Sequence, residues 1–456
     1  MKKLLTAALI SGAMLAGSNT YGQYNEKCAT AEIGSKYIAE NPGMEAAFRQ
    51  YQQDVLQRAE AFEEANAGAK KTTASVTIPV VFHIILTQAE IDDIGGTQAV
   101  YERALAQLEV MNECFNASNA DTNKVPTVFK PLLGNAEIHF GPAHRTPAGK
   151  STSGIEIKVA PAGFPGFAVG DGNAKKTSAG GLDPWDNKKY LNIWVVTLST
   201  SNVLGYGYSP TYADLLNRPN ETGIVVTYKA WGKRKMLQDG SYINGAHLGR
   251  TLVHELGHFF NLWHIWGNVP VGSGSCNKND PDPLKYDDGV TDTPPQKDAN
   301  QTCPGLSTVV PNCTNSPGGE MFMNFMDYPG DACILLFTKG QVNRMKAEVV
   351  PGGPSYELTT HPELLQWPAG IADVEKNNTF HISPNPSTGV FSVNFDNAES
   401  LKGITIINMM GQAIKNINTT ASLNSYNFDL SAMPKGMYTI QCIFEEGTVA
   451  RKIIVQ

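Results

Sequence analysis

Residues 254–264 read His254-Glu255-Leu256-Gly257-His258-Phe259-Phe260-Asn261-Leu262-Trp263-His264, so three of the nine histidines in the chain fall within eleven residues. On a helix, positions i and i+4 share a face, and His254 and His258 can aim both imidazoles at one ion. A break after the second histidine would let His264 swing back as a third ligand. Asn261 permits that break, because Asn enters the left-handed region more readily than most residues. Three neutral imidazoles leave one position of a tetrahedral Zn²⁺ open to water. The ion lowers the pKa of that water towards ~7 and polarises a carbonyl. Glu255, one residue past the first ligand, is better placed to take the proton than to bind metal. A bare HExxH arises by chance; the third histidine at +6 makes the pattern specific.

The elements that must carry these residues are legible in outline. Gly245 to Leu262 reads as a helix, Thr97 to Asn116 as another, and the polar, Ala- and Glu-rich stretch from Met44 to Ala67 as a third. Thr77 to Leu86 is a buried-strand pattern. Further strands are expected at Ala136–Phe140, Gly154–Val159, Leu191–Leu198 and Gly223–Tyr228. Strands with helices packed on them indicate an α+β body. A loop-rich stretch, Gly267 to Pro317, follows the histidines. The Pro-rich segment 351–376 reads as a linker. Beyond it, short apolar runs at 390–395, 404–407, 437–444 and 450–455 predict a small all-β sandwich.

With 456 residues the chain has room for two or three domains. Its net charge of −7 gives no basic footprint for nucleic acid. Met1-Lys2-Lys3 followed by an apolar run to about Ala16 is a secretory signal, expected to end near Gly22. That run is too short to span a bilayer, which takes ~20 residues. Export permits disulfides. The seven cysteines are an odd number, and Cys276, Cys303, Cys313 and Cys333 are clustered, a set that allows three pairings.

Around the histidines the chain resembles the pappalysin family of metzincin metallopeptidases, specifically its bacterial, cytophagalysin-like branch. The clan pattern is HExxHxxGxxH with a Met-containing turn downstream; Asn261 replaces the usual glycine. Ile265-Trp266-Gly267, Asp292-Thr293-Pro294-Pro295, Met323-Asn324-Phe325-Met326-Asp327-Tyr328, Asp331-Ala332-Cys333 and Phe337-Thr338-Lys339-Gly340-Gln341 follow in the family's order. The resemblance implies a metzincin-type catalytic domain: a twisted mixed sheet with an active-site helix and a loop-rich C-terminal subdomain. It implies that His254, His258 and His264 bind Zn²⁺, that Glu255 is general base and acid, and that Met326 lies beneath the metal. By the same resemblance Tyr328 would stabilise the tetrahedral intermediate, although a simply packed Tyr has the same sequence. The family pairing implies disulfides Cys276–Cys313 and Cys303–Cys333. It also implies Ca²⁺ in the acidic loop, around Asp287, Asp288, Val290 and Thr293, where a solvated loop is the plain alternative. Cys28 resembles a propeptide cysteine that caps the zinc, to be released by cleavage near Lys70-Lys71. Residues 377–456 resemble the sorting domain of type IX secretion.

These readings divide the chain into signal peptide (1–22), propeptide (23–71), catalytic domain (72–350), linker (351–376) and sorting domain (377–456). They predict a secreted, monomeric zinc endopeptidase made as a zymogen, acting on protein or peptide substrates through a zinc-bound water and met on export by the type IX machinery. Substrate is expected to pair with an edge strand near Gly223–Tyr228, and Asp331 hints at basic residues after the cleaved bond. The reading from a different class is a non-catalytic adhesin on the same scaffold, which has no use for Glu255. A purely structural zinc would want a fourth protein ligand in the mature form, and only Cys28 offers itself.

Overall fold

The computed structural model describes residues 27–66, 75–199, 202–234, 241–267, 269–276, 285–366, 380–395, 398, 401–409, 411–418, 423–444 and 447–456. The signal peptide, the proposed cut near Lys70-Lys71 and the end of the linker lie outside them.

Strand β1 (Val76–Thr87) is the spine of the larger domain. From Ile78 onward it is buried almost without interruption, which is why it reads as an apolar run with no alternation. Along one side it pairs in parallel with β2 (Ile138–Pro142) and then β3 (Ile155–Ala160); along the other it pairs with β4 (Leu191–Val196). The sheet continues through parallel β6 (Gly223–Thr227) and closes with antiparallel β5 (Gly205–Tyr208), in the order β2-β1-β4-β6-β5. Helices α3 (Gln88–Ile94), α4 (Thr97–Phe115) and α5 (Pro210–Leu215) connect these strands. The active-site helix α6 (Arg250–Phe259) and α4 share one core with the sheet, and all ten residues of α6 are buried. Helix α7 (Lys339–Val349) starts on a capping box between Thr338 and Gln341.

Three expectations are corrected here. The edge strand is β5, not Gly223–Tyr228: β6 is flanked by β4 and β5, so it has no free edge. The edge was hidden because two of its four residues are glycine, which weakens the strand signal. The helix expected from Gly245 starts at Arg250, because Gly249 is held at φ 76°. The linker is not free over its first half. Two 3₁₀ turns, Tyr356–Thr359 and Pro362–Leu365, lie against β1 and bury Leu358 and Leu364.

Ahead of β1, α1 (Thr30–Glu40) and α2 (Glu45–Asn66) pack onto the larger domain, α2 against α7 and α5. The C-terminal module has two antiparallel sheets. Strand β10 (Ala413–Asn418), β9 (Leu401–Asn408), β12 (Gly436–Phe444) and β13 (Gly447–Val455) form one; β11 (Ser425–Asp429), β8 (Val390–Phe395) and β7 (Phe380–Ser383) form the other. They enclose a core of their own that includes Phe380, Phe391, Ile406, Ile440 and Ile453. Cys442 is buried in this core, and Cys114 in that of the larger domain.

Candidate metal centre

Helix α6 places His254 and His258 one turn apart, and Asn261 at φ 62° turns the chain so that His264 returns to them. His254 Nδ1 donates to the Phe325 carbonyl at 2.7 Å, and His258 Nδ1 to the Leu262 carbonyl at 2.8 Å. A carbonyl can only accept, so both Nε2 atoms carry lone pairs. The Nε2 of His258 lies 3.2 Å from that of His254 and 3.1 Å from that of His264. Lone pairs facing each other at that distance repel unless a cation sits among them, so the donor set fits a metal ion. Burial holds all three imidazoles neutral: it lowers His254 to about 4 and takes His258 and His264 well below the usual range. His264 Nδ1 has no hydrogen-bond partner, and its ring is stacked on Trp266 at 4.3 Å and 5°.

Met326 lies beneath α6, where Gly257 makes room. A Cβ at Gly257 would stand 2.3 Å from the Met326 sulfur. Glu255, 1% exposed, faces the strand edge; its Oε1 has no hydrogen-bond partner, and burial pushes its carboxyl up to about 8. Glycines 205 and 207 of β5 leave space for it, because a Cβ on Gly205 would meet Glu255 Cγ at 2.9 Å. Tyr328 sets its hydroxyl 3.2 Å from His264 Nε2 and donates to the Cys28 carbonyl at 3.2 Å.

Cys28 enters the same pocket. Among the described residues, the one group of three or more His, Cys, Asp or Glu poised to share an ion is Cys28 with the three histidines, their donor atoms within 4.8 Å of one another. With no cation present, burial and then the Glu255 charge raise the thiol well above its usual pKa; a metal ion would reverse that balance. Residues 27–30 run along the free edge of β5. Leu204 N donates to the Lys27 carbonyl at 2.6 Å, Ala29 N to Gly205 O at 3.1 Å, and Gly207 N to Thr30 Oγ1 at 3.0 Å. Lys27 extends into the adjoining cavity of 280 Å³, where its Nζ donates to the Tyr328 carbonyl at 2.5 Å. Asp331 also lines this cavity: its Oδ2 accepts from Leu248 N at 2.6 Å, and its charge acts on Lys27. Gly205, Gly207 and Lys27 were not singled out in the sequence; the adjacency of Lys27 to Cys28 was the available signal.

The acidic loop is organised differently. Asp288 Oδ1 accepts from Val290 N and from the Thr293 hydroxyl, and Asp287 Oδ1 from Gly289 N. Asp288 Oδ2 is buried without a partner, and burial pushes that carboxyl up to about 7. The bonds Cys276–Cys313 and Cys303–Cys333 staple the surrounding loops.

Comparison with known proteins finds metallopeptidases. Residues 177–350 match the family described as pregnancy-associated plasma protein-A, a peptidase family, and residues 381–456 match a secretion system C-terminal sorting domain. The chain is 35% identical to mature mirolysin of Tannerella forsythia, solved in complex with a cleaved peptide, covering 65% of this chain and 100% of that one at a TM-score of 0.56. Against a promirolysin mutant from the same organism the identity is 32%, the coverage 75% and 100%, and the TM-score 0.61. An extracellular metalloprotease of Pyricularia oryzae is 33% identical over 160 residues, 35% of this chain and 48% of the relative. One of Arthroderma benhamiae is 26% identical over 302 residues, 63% and 77% respectively. The chain spans about half the length of the first two curated relatives it matches.

Proposed function

The chain belongs to the pappalysin family of metallopeptidases, and from that premise we propose that it is a secreted zinc endopeptidase held latent by its own leader. The observation that carries this reading is the convergence of three neutral imidazoles, two of them with their Nε2 lone pairs fixed inward, beside a buried carboxyl whose Oε1 has no partner. His254, His258 and His264 would hold the ion. Zinc at that point supplies a Lewis acid that makes water a nucleophile near neutral pH and polarises a carbonyl. The chain's own residues do the rest. The free edge of β5 pairs with an extended peptide and sets its scissile bond beside Glu255. Glu255 takes a proton from the attacking water and gives it to the leaving amine. Tyr328 donates its hydroxyl to the developing oxyanion. Met326 supports the imidazoles from below.

Latency follows from the same geometry. Residues 27–30 occupy the β5 edge where substrate would lie, and Cys28 Sγ would complete the metal's coordination and close the position needed by water. Cleavage near Lys70-Lys71 would free the leader, residues 23–71. Asp288, whose buried Oδ2 lacks a partner, is the oxygen on which a structural Ca²⁺ would rest in the acidic loop, with Asp287, Val290 and Thr293 around it. The match at 381–456 supports recognition by type IX secretion machinery, and no helix among the described residues is long and apolar enough to cross a membrane.

The test is cleavage of a peptide library by protein freed of its leader, with and without a zinc chelator, beside Glu255→Gln. Glu255→Gln is expected to lose about 10²–10⁴-fold in kcat while remaining folded. Cleavage that survives the chelator, or an unimpaired Glu255→Gln, would overturn the reading.

A further inference from the structure

The turn that brings His264 to the metal is held by a chain of buried side chains reaching into the leader. Asn261 is 1% exposed and Glu348, on α7, is fully buried. Asn261 Nδ2 donates to Glu348 Oε2 at 2.6 Å. From α2, the Tyr51 hydroxyl donates to Asn261 Oδ1, and Arg58 Nη2 donates to Glu348 Oε1 at 2.9 Å. A glycine at 261 would satisfy the positive φ equally well, but it would leave one buried oxygen of Glu348 without its donor. The asparagine therefore joins the turn to α7 as well as permitting it. Arg344, one helical turn before Glu348, lies over the Trp263 ring at 4.6 Å and donates to the Asp288 carbonyl at 2.7 Å, so the anchor of the turn is itself fixed.

We propose that Asn261 and Glu348 are positioning residues for the third metal ligand, and that Tyr51 and Arg58 of the leader complete their clamp, so that the leader braces the metal site as well as covering it. Removal of the leader takes away Tyr51 and Arg58 but leaves the Asn261–Glu348 contact. The inference rests on the proposed zinc site.

The experiment measures zinc release from the full chain to a chromophoric chelator, together with thermal unfolding of the metal-free form. Outer contacts of this kind are worth about 10–100-fold in metal affinity, so Asn261→Gly is expected to release zinc about 10-fold faster, and Glu348→Gln, whose single amide oxygen cannot accept from both Asn261 and Arg58, should release it faster as well. Asn261→Asp is the second variant. It keeps the turn preference and the acceptor for Tyr51 but loses the donor, and it too should release zinc faster. Both position-261 variants leave a buried Glu348 oxygen without its donor and should lower the metal-free unfolding temperature, so zinc release is compared below the unfolding transition of each form. Zinc release at the parental rate from both, or faster release seen only at temperatures where the metal-free form unfolds, overturns the clamp. A parent chain that binds no zinc overturns the metal-site reading and the clamp with it, whereas a parent that binds and variants that bind equally well overturn the clamp alone.

Discussion

Strand β5 has two faces, and they treat buried charge in opposite ways. On one face Gly205 and Gly207 admit Glu255, whose Oε1 is left without a partner beside three convergent imidazole nitrogens. On the other, Tyr206 and Tyr208 join Trp194 around Lys175, with the ammonium 4.5 Å from the Tyr208 ring centroid and 5.0 Å from that of Trp194. Lys175 Nζ also donates to the Glu221 carbonyl. Both groups are fully buried, and both are shifted towards their neutral forms by burial. The lysine's partners come from its own domain; the glutamate's Oε2 accepts from Cys28 Sγ and Thr30 Oγ1 of the leader, and its Oε1 has no partner. A carboxyl with one open oxygen beside a metal-fitting donor set differs in kind from a caged, bonded lysine committed to packing. The alternation of side chains along a strand is what lets four residues serve both purposes.

The comparison is sharpened first at Tyr328, the donor on the Glu255 side. Tyr328→Phe in the leader-free protein is expected to lower kcat by about 10²–10³-fold with little change in KM, the range for loss of an oxyanion donor. An unchanged kcat would mean that face works without its hydroxyl. The next test is steric. Gly205→Ala places a Cβ 2.9 Å from Glu255 Cγ and 3.0 Å from Val225 O, and overpacking of this kind costs about 1–3 kcal/mol. Urea unfolding and peptide cleavage should both fall. Tyr206→Phe, on the opposite face, should leave cleavage intact; if it reduces cleavage as much as Gly205→Ala, the two faces are not separate.

What could be read in the sequence follows the range of the interactions involved. The histidine cluster was legible because its geometry is local: i and i+4 on one helix, and a turn-permissive residue three positions later. The spine strand β1 was legible because its burial is nearly continuous. The edge strand was not, since glycines that exist to clear space for Glu255 look like loop. Lys175 was invisible because its cage is drawn from β4 and β5, none of it adjacent in sequence. Glu348 was missed for the same reason, standing 87 residues from Asn261. In the acidic loop a composition of Asp, Gly and Thr does not reveal which oxygens will be bonded internally, as Asp288 Oδ1 is, and which will be left open, as its Oδ2 is.

The smallest expected effect tests the packing face by itself. Burial lowers Lys175 to about 7 from its ordinary value of 10.5. Between those limits the unfolded chain holds a proton that the folded chain has given up, so this group makes stability rise with pH from about 7 towards 10. Below pH 7 both states are protonated and the cost of enclosing the ammonium is present in full. The slope is about 1 kcal/mol per pH unit for one proton. Lys175→Met keeps the volume and removes the titration, so the stability of the parent relative to the variant should climb across that window in urea unfolding at pH 7, 8 and 9. Peptide cleavage by the variant should match the parent at each pH. A flat difference would show that the aromatic cage and the Glu221 carbonyl hold the lysine charged through this range, and a loss of cleavage would tie the cage to the active face across β5.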